Sequence, residues 1–336
     1  MIGYLLLAIG YSGSAGAAES KIIASGAKLE KLADGFIFTE GPACDAHGNV
    51  FFTDQPNDRI MEWSTDGKLS TFMQPCGRSN GLCFDSQGNL WACADEKNEL
   101  WRIPASEFNR AANRAATVRE RQSGSSAAEP AQIKHDLILK DYQGKLLNGP
   151  NDIWILPKVL RASFSPDGKR IEEDHALYFT DPYYKRPYWH RGPKEMDECV
   201  YYLTADGKTY KRVIDDMKQP NGIIGTPDGK TLYVSDIGAG KTYSYKIQRD
   251  GSLTNKTLFC ELGSDGMTID NKGNVYLTGH GVTVFDSSGQ QIEHMDVPES
   301  WTGNICFCGK DRQTLFITAS KGIYAMKMKV MGVGSQ

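Results

Sequence analysis

One unit recurs through the chain and constrains its fold more than any other feature. The unit is a polar residue, a short apolar run, a turn rich in Asp and Gly, and a second apolar run. It reads EGPACDAHGNVFFTD from Glu40, NGLCFDSQGNLWACAD from Asn80, NGIIGTPDGKTLYVSD from Asn221 and DGMTIDNKGNVYLTGH from Asp265. A stretched copy begins with NDIWILP at Asn151 and continues in HALYFTDP, and a sixth, GNICFCGKDRQTLFITAS, begins at Gly303. Apolar runs bounded by Gly and Asp are typical of antiparallel hairpins.

A second turn signal separates the units, so each unit has two hairpin turns and is predicted to have four strands. These turns are Asp66-Gly67, Gln143-Gly144, Asp206-Gly207, Asp250-Gly251 and Ser288-Gly289. The units begin 40, 71, 70, 44 and 38 residues apart. The shorter spacings are typical of propeller blades. The two longer ones contain insertions, which we place at residues 105–133 and 157–174.

The ends of the repeat predict how the ring closes. The sixth unit offers fewer than four strands, whereas Lys28 to Phe38 offers an extra strand ahead of the first unit. If this early strand completes the last blade, no strand edge is left exposed. We therefore predict an all-β six-bladed β-propeller with four-stranded antiparallel blades, closed by an N-terminal strand, as a single domain over residues 28–329.

Two other folds are less consistent with the sequence. No long amphipathic helix separates the strands, which disfavours a parallel α/β fold. Two sandwich domains are the remaining alternative, but they would not explain six units in phase.

Composition limits the partners of the chain. It has 336 residues, 40% of them hydrophobic and 24% charged, with a formal net charge of −3. This argues against nucleic acid or an anionic membrane as a partner, because phosphate binding needs a concentrated basic surface. No apolar stretch approaches the roughly 20 residues that span a bilayer.

Residues 1–18 have the features of a weak signal peptide. A short apolar run, Tyr4 to Ile9, is followed by small residues, and Ala15 and Ala17 suit a signal-peptidase site. No Lys or Arg precedes the run, so a frayed cytoplasmic N-terminus is the alternative. We expect a periplasmic or secreted protein, with a cytoplasmic one as the alternative.

The eight cysteines are predicted to be buried free thiols. Five of them, Cys44, Cys83, Cys93, Cys306 and Cys308, lie in apolar β-like runs, where a thiol behaves as a small hydrophobe. No CxxC pair or Cys/His cluster has the spacing of a zinc site. A disulfide framework is the less favoured alternative.

The residue that opens each unit is a candidate for a shared site. In a propeller the first strand of each blade lines the central channel, so the residue before it lies near the axis. These residues are Glu40, Asn80, Asn151, Asn221, Asp265 and Gly303. Carboxylate and amide oxygens that converge are the ligands that calcium prefers, and without a cation the two carboxylates would repel each other. Asn and Asp before Gly are also ordinary turn residues, an alternative that stays open for Asn80 but is weak for Glu40.

The motifs together resemble the gluconolactonase/senescence-marker-protein/luciferin-regenerating family. They are FTEGPACDAHGNVFFTD, LLNGPNDIWI with HALYFTDPYY, QPNGIIGTPDGKTLYVSD and SDGMTIDNKGNVYLT, in order from about Gly35 to Met326. The resemblance implies a divalent cation, calcium first and zinc, manganese or magnesium as alternatives, held by Glu40, Asn221 and Asp265. It also implies that Asp265 is the general acid/base and that Asn151 contacts metal or substrate.

One departure from the family concerns substrate binding. The animal branch carries a substrate-binding Arg two residues before that Asn, where this chain has Gly149. The microbial branch with LNGPND is more similar. Replacement contacts are expected from Arg78 or from Tyr183 and Tyr184, with surface or packing roles as the alternative.

Three further sequence features bear on the site. Asn80 is a further candidate for substrate binding, and His280, in TGHGVTVFD, is a candidate at the channel mouth or an ordinary loop histidine. The run Gly77-Arg78-Ser79-Asn80-Gly81 matches the serine-hydrolase pattern GxSxG, but a turn precedes it and a strand follows, so we treat the match as chance.

These residues predict a hydrolase that opens a sugar lactone or a related lactone. A cation would polarise the carbonyl group, and Asp265 would take a proton from the attacking water. A phosphotriesterase-like hydrolase on the same metal site and a non-catalytic sugar- or protein-binding propeller are the alternatives. Glu40 and Asp265 argue against the binding module, which would need no metal.

Overall fold

The structure is a computed structural model that describes residues 19–108, 110, 132–157, 162–164, 170–172, 176–204 and 208–333. The predicted signal peptide and most of the 105–133 insertion lie outside these ranges. Within them, no helix is long and apolar enough to cross a membrane.

Six four-stranded antiparallel sheets surround one axis, so the predicted six-bladed propeller is confirmed. In chain order the strands are β1 (Glu30–Asp34), β2 (Thr39–Cys44), β3 (Val50–Asp54), β4 (Arg59–Trp63), β5 (Leu69–Met73), β6 (Leu82–Phe84), β7 (Leu90–Ala94), β8 (Glu99–Ile103), β9 (Asp136–Leu139), β10 (Asp141–Tyr142), β11 (Lys145–Leu146), β12 (Ile153–Ile155), β13 (Ala162–Phe164), β14 (Arg170–Glu172), β15 (Leu177–Asp181), β16 (Cys199–Leu203), β17 (Tyr210–Ile214), β18 (Pro220–Gly225), β19 (Thr231–Asp236), β20 (Lys241–Ile247), β21 (Leu253–Cys260), β22 (Met267–Ile269), β23 (Val275–Gly279), β24 (Gly281–Phe285), β25 (Gln291–Met295), β26 (Thr302–Cys308), β27 (Thr314–Ala319) and β28 (Gly322–Lys327).

Most blades are built from consecutive strands. Blades 1, 2, 4 and 5 are β2–β5, β6–β9, β18–β21 and β22–β25, and blade 3 is β12, β15, β16 and β17. The hairpin β13–β14 lies within the predicted 157–174 insertion, between two paired strands of blade 3. Short 3-10 helices, Gln55–Asn57, Asp95–Lys97 and Ile237–Ala239, follow the second strand of blades 1, 2 and 4.

The N-terminal strand closes the ring as predicted. Blade 6 has the order β1-β28-β27-β26, and β1 pairs antiparallel with β28, with Glu30 opposite Ala325 and Asp34 opposite Gly322. The last blade therefore combines both ends of the described chain, and its outer edge is covered by β1.

The core lies between blades. Every residue of β3, β7 and β15 is buried, whereas most of β5, the outermost strand of blade 1, is exposed. Each interface between neighbouring blades in the described part of the chain holds its own apolar cluster. Between blades 1 and 2, for example, the rings of Phe51 and Phe84 meet edge to face at 5.4 Å. Burying one such side chain contributes about 1.5–3 kcal/mol.

The repeated turn has a local cause. In blade 1, Asp45 Oδ1 accepts hydrogen bonds from the backbone N–H groups of His47 and Asn49, both at 2.8 Å, and Asn49 Nδ2 donates to Asp45 Oδ2. The same bonds recur around Asp85 and Asp270. The DxxGN motif thus fixes the hairpin between the first and second strands.

All eight cysteines are free, as predicted, and five of them are buried. Burial raises the pKa of the Cys308 thiol to about 12, so these thiols remain protonated and pack as apolar groups.

Candidate active site

The first strands of the blades approach each other closely around the axis. We call the six residues that open the units the axial residues; they are Glu40, Asn80, Asn151, Asn221, Asp265 and Gly303. A Cβ atom on Gly41 would overlap the carbonyl oxygen of Asn80, the axial residue of the next blade. Thr53 Oγ1 donates to that same carbonyl oxygen at 3.1 Å. The Gly that follows an axial residue therefore allows neighbouring blades to bring their axial residues together.

Three of the predicted site residues meet directly. The carboxyl groups of Glu40 and Asp265 lie beside each other, so each acts on the pKa of the other. Asn221 Nδ2 donates to Asp265 Oδ1 at 2.7 Å, and Trp301 Nε1 donates to Asp265 Oδ2 at 2.6 Å. Glu40 and Asn221 are 2% and 1% exposed, whereas Asp265 is partly exposed. Asp265 is thus the less buried residue of the two acids.

Burial dominates the electrostatics of the two acids. Burial, then the charges of Asp265 and Asp152, hold the pKa of Glu40 well above its usual range. Burial also raises the pKa of Asp265, while the hydrogen bond from Trp301 and the charge of Arg186 lower it. Without a cation, burial and the repulsion between the two acids therefore disfavour ionisation of both at once.

Asn80 and Asn151 complete the axial group. They are 1% and 2% exposed, and the Nδ2 atom of each lacks a hydrogen-bond partner in the described ranges. Gly81 N donates to the carbonyl oxygen of Asn151 at 2.6 Å, which joins blades 2 and 3. The sixth axial position, Gly303, has no side chain; a Cβ there would lie 2.8 Å from Glu40 Oε1.

These residues fit a divalent cation. Glu40 and Asp265 provide two adjacent carboxylates, and the buried Asn221 Oδ1 has no partner among the described residues. No three His, Cys, Asp or Glu side chains in those residues lie together as a ligand set, so the third protein ligand would be an amide oxygen. An all-oxygen set of this kind suits a hard cation such as calcium.

Asp152 is a site residue that the sequence did not indicate. It follows the axial Asn151, where blades 1, 2, 4 and 5 have Gly, and it is 7% exposed. Asn304 Nδ2 donates to its two oxygens at 3.2 and 3.3 Å. Burial and the charge of Asp265 raise its pKa to about 8. It lines a cavity of about 140 Å³ that continues along the first strands towards Phe84.

A second missed feature is residues 182–198 between β15 and β16, which we call the strap. Tyr184 accepts a hydrogen bond from Asn221 Nδ2 at 2.8 Å, and Tyr188 donates to Gln55 Oε1 at 2.8 Å. Arg191 forms a buried ion pair with Asp95 at 2.5 Å. The strap thus contacts blades 1, 2 and 4 and covers the axial residues.

The strap also explains Gly149. The φ angle of Gly149 is +143°, and a Cβ there would overlap Arg191 Nη1 and Asp95 Oδ1. The side chain that the animal branch carries at this position would displace the ion pair that anchors the strap. A side chain at position 149 is therefore incompatible with the ion pair that anchors the strap.

The other predicted contacts lie around the site. Arg78 Nε donates to Glu96 Oε1 at 3.2 Å, and its guanidinium lies under the strap, 5.7 Å from the Tyr188 ring centre. Tyr183 donates to the carbonyl oxygen of Gly192, within the strap. The ring of the exposed His280 packs edge to face on the ring of Trp301, with 5.2 Å between the ring centres. Since Trp301 also donates to Asp265, the Trp301 side chain lies between His280 and Asp265.

A sequence signal for the strap did exist. The hairpin from β15 to β16 needs only a short turn, yet 17 residues rich in Tyr, Trp, Arg and Lys lie between them. A long connection of this kind is usually functional. Trp301, which holds Asp265, had no such signal, because it precedes β26 in an ordinary polar loop.

Comparison with known proteins agrees with this architecture. Residues 161–321 match the SMP-30/Gluconolactonase/LRE-like region. The X-ray structure of a proposed gluconolactonase aligns with 93% of this chain and 96% of its own, at 30% sequence identity and a TM-score of 0.74. The chain belongs to the SMP-30/Gluconolactonase/LRE-like family.

Two further relatives of this SMP-30/Gluconolactonase/LRE-like protein match over most of their length. The gluconolactonase of Zymomonas mobilis is 25% identical over 342 residues, which cover 90% of this chain and 82% of that protein. A gluconolactonase structure from Xanthomonas campestris is 27% identical, with a TM-score of 0.71 and 91% of each chain covered.

Proposed function

We propose that the chain is a metal-dependent hydrolase that opens a lactone, with Asp265 as its general acid and base. That it is an enzyme acting on cyclic esters follows from its family and from gluconolactonase relatives matched over most of their length. The observation that supports the metal and the role of Asp265 is the meeting of Glu40, Asp265 and Asn221 Oδ1 on the buried axis.

Glu40, Asn221 and Asp265 would hold the cation, with Asn151 beside them. When bound, a divalent cation supplies Lewis acidity that polarises the lactone carbonyl and favours the developing oxyanion. Two carboxylates and a neutral amide suit a dication because their charges balance.

Asp265 is suited to move the proton. Trp301 and Asn221 each hold one of its oxygens, so the carboxylate is fixed in orientation. It accepts a proton from the water that attacks the carbonyl carbon and returns it to the ring oxygen as the ester opens. The strap covers the neighbouring Glu40 and Asn221 and limits the access of other water.

The test is a screen of lactones with metal-depleted protein, followed by addition of calcium, zinc, manganese or magnesium. We expect hydrolysis of at least one lactone, its loss with EDTA, and its return with one of these ions. Hydrolysis that is indifferent to EDTA after extensive dialysis would contradict the metal. A phosphotriester in the same screen, if it alone were cleaved, would contradict the lactone.

A further inference from the structure

Arg186, on the strap, is a partly buried cation that forms no ion pair within the described ranges. Its Nε atom is inaccessible to solvent and makes no hydrogen bond within the described part of the chain. The guanidinium carbon lies 4.3 Å from the centre of the Tyr184 ring. Tyr184 itself is hydrogen-bonded to Asn221, so this guanidinium lies beside the axial group.

The neighbouring arginines differ from Arg186 in this respect. Arg191 is paired with Asp95, and Arg78 with Glu96. Asp95 Oδ2 also accepts a hydrogen bond from Gln55, at 3.0 Å, so this carboxylate is already engaged on both oxygens. Asp95 and Asp265 act on Arg186 through charge, without a hydrogen bond or ion pair in the described ranges. A partly desolvated charge left without an anion becomes more stable when a ligand pairs with it.

The balance of unpaired groups points to the ligand. Within the ranges described, the buried atoms without a partner near the strap and axis include the donors Arg186 Nε, Arg191 Nε, Trp189 Nε1, Asn80 Nδ2 and Asn151 Nδ2, and the acceptors Asn148 Oδ1 and Glu198 Oε2. Asn221 Oδ1 is an unpaired acceptor there, and it is a proposed ligand to the cation. Donors thus outnumber acceptors around a guanidinium that has no ion pair in the described ranges, and this suits a group made of acceptors with a negative charge.

We propose that Arg186 binds a carboxylate of the substrate, so that the substrate class is a sugar lactone that carries a second, ionised acid group. This inference rests on the proposed lactone hydrolysis and adds the substrate class to it. A guanidinium matches a carboxylate in a bidentate manner, which a Lys ammonium does not. Charge balance agrees: the cation offsets Glu40 and Asp265, Asp95 offsets Arg191, and the charge of Arg186 is left for the substrate.

The test compares two lactones that differ in one group. D-glucaro-1,4-lactone carries a carboxylate where D-glucono-1,4-lactone carries a hydroxymethyl group. We expect a higher kcat/KM for the glucarolactone, and R186Q should lower the ratio of the two kcat/KM values about 10- to 100-fold, mainly through KM. R186K should restore only part of this ratio. R249Q, which alters an exposed Arg in the β20–β21 turn, is the control and should leave the ratio unchanged.

Binding is measured separately from activity. The open-chain products, D-glucarate and D-gluconate, are titrated calorimetrically into the wild-type protein, R186K and R186Q, with and without calcium. Preference of the wild type for glucarate, reduced in both variants, supports the inference even if neither lactone is hydrolysed, an outcome that would overturn only the proposed function. No preference in either assay, or an equal loss for both compounds in R186K, would overturn the role of Arg186.

Discussion

Glu40 and Asp265 are two adjacent acids, yet their surroundings give them different tasks. Glu40 accepts a hydrogen bond from the N–H of Gly41, at 3.2 Å, and it is almost fully buried. Asp265 is held on both oxygens by Trp301 and Asn221 and is partly exposed. Burial favours a role for Glu40 in holding the cation, and exposure favours a role for Asp265 in proton transfer.

Two isosteric substitutions separate these roles. Glu40→Gln keeps an oxygen but loses a charge, so metal affinity should fall first and excess metal should partly restore activity. Asp265→Asn also keeps an oxygen but cannot accept the proton, so kcat should fall about 10²–10⁴-fold even at saturating metal. The measurement is kcat as a function of metal concentration, with metal binding followed independently by calorimetry.

The outcome of the Asp265 variant decides its role. If the fully metallated Asp265→Asn protein turned over the best lactone at the wild-type rate, Asp265 would be a ligand only. The base would then be sought at the channel mouth, where His280 packs on Trp301.

At the scale of elements, an Asp at the end of the second strand holds the loop that leads to the axial residue. Asp54 accepts hydrogen bonds from the backbone N–H groups of Ile37 and Phe38, and Asp236 from those of Lys218 and Gln219. In blade 2 the corresponding Asp95 pairs with the strap instead. There Asp58 holds the loop through the N–H groups of Cys76 and Arg78.

Asp181 plays this part in blade 3 and should make stability depend on pH. It is fully buried and accepts from the N–H groups of Asn148 and Gly149 at 2.9 and 2.8 Å. Burial raises its pKa from 3.8 to about 7. Because the pKa is higher in the folded state, its contribution to stability is full below about pH 4 and is lost as the pH rises through about 7.

Asp181→Asn removes this titration. The stability of the wild type minus that of the variant should therefore fall between pH 4 and pH 8, by at most about 4 kcal/mol at 1.36 kcal/mol per pKa unit. Denaturant unfolding of both proteins across this pH range measures the difference. A difference that stays flat, or rises with pH, would show that Asp181 is ionised throughout.

The strap depends on Gly149, and a single methyl group should release it. In Gly149→Ala the new Cβ atom would overlap Arg191 and Asp95. Residue 149 would also have to hold a φ of +143°, which a residue with a side chain rarely adopts. The free energy of unfolding should therefore fall by about 1–3 kcal/mol. Trypsin should then cleave faster after Lys185 and Arg191. Gly192→Ala is the matched control within the strap, because nothing lies within 4 Å of its Cβ position. Equal cleavage of both variants would contradict the anchoring role of the Arg191–Asp95 pair.

At the scale of the whole molecule, the sequence repeat predicted those features of the structure that recur from blade to blade. Blade number, ring closure and the meeting of Glu40, Asn221 and Asp265 all follow from residues that recur in phase. The strap was missed because it has no periodicity, and its Arg191 pairs with Asp95, 96 residues earlier in the chain. Asp152 was missed because it is an exception to the repeat, an acid in a position that elsewhere holds Gly.

Ring closure by β1 is the feature on which the whole propeller depends. Without β1, the paired strand β28 would become an exposed edge, which favours association with other chains. Residues ahead of β1 also contribute, since Ile22 is 4% exposed in the cluster between blades 5 and 6 and adds about 1.5–3 kcal/mol. A protein that begins at Gly35 should therefore have a free energy of unfolding that is lower by several times RT, and it should self-associate. A protein that begins at Glu19 keeps β1 and Ile22 and should behave as the full chain does. Denaturant unfolding and size-exclusion chromatography with light scattering compare the two. If the protein that begins at Gly35 matched the one that begins at Glu19 in both measurements, the closing strand would be dispensable, and the stability of blade 6 would have to come from β26–β28 alone.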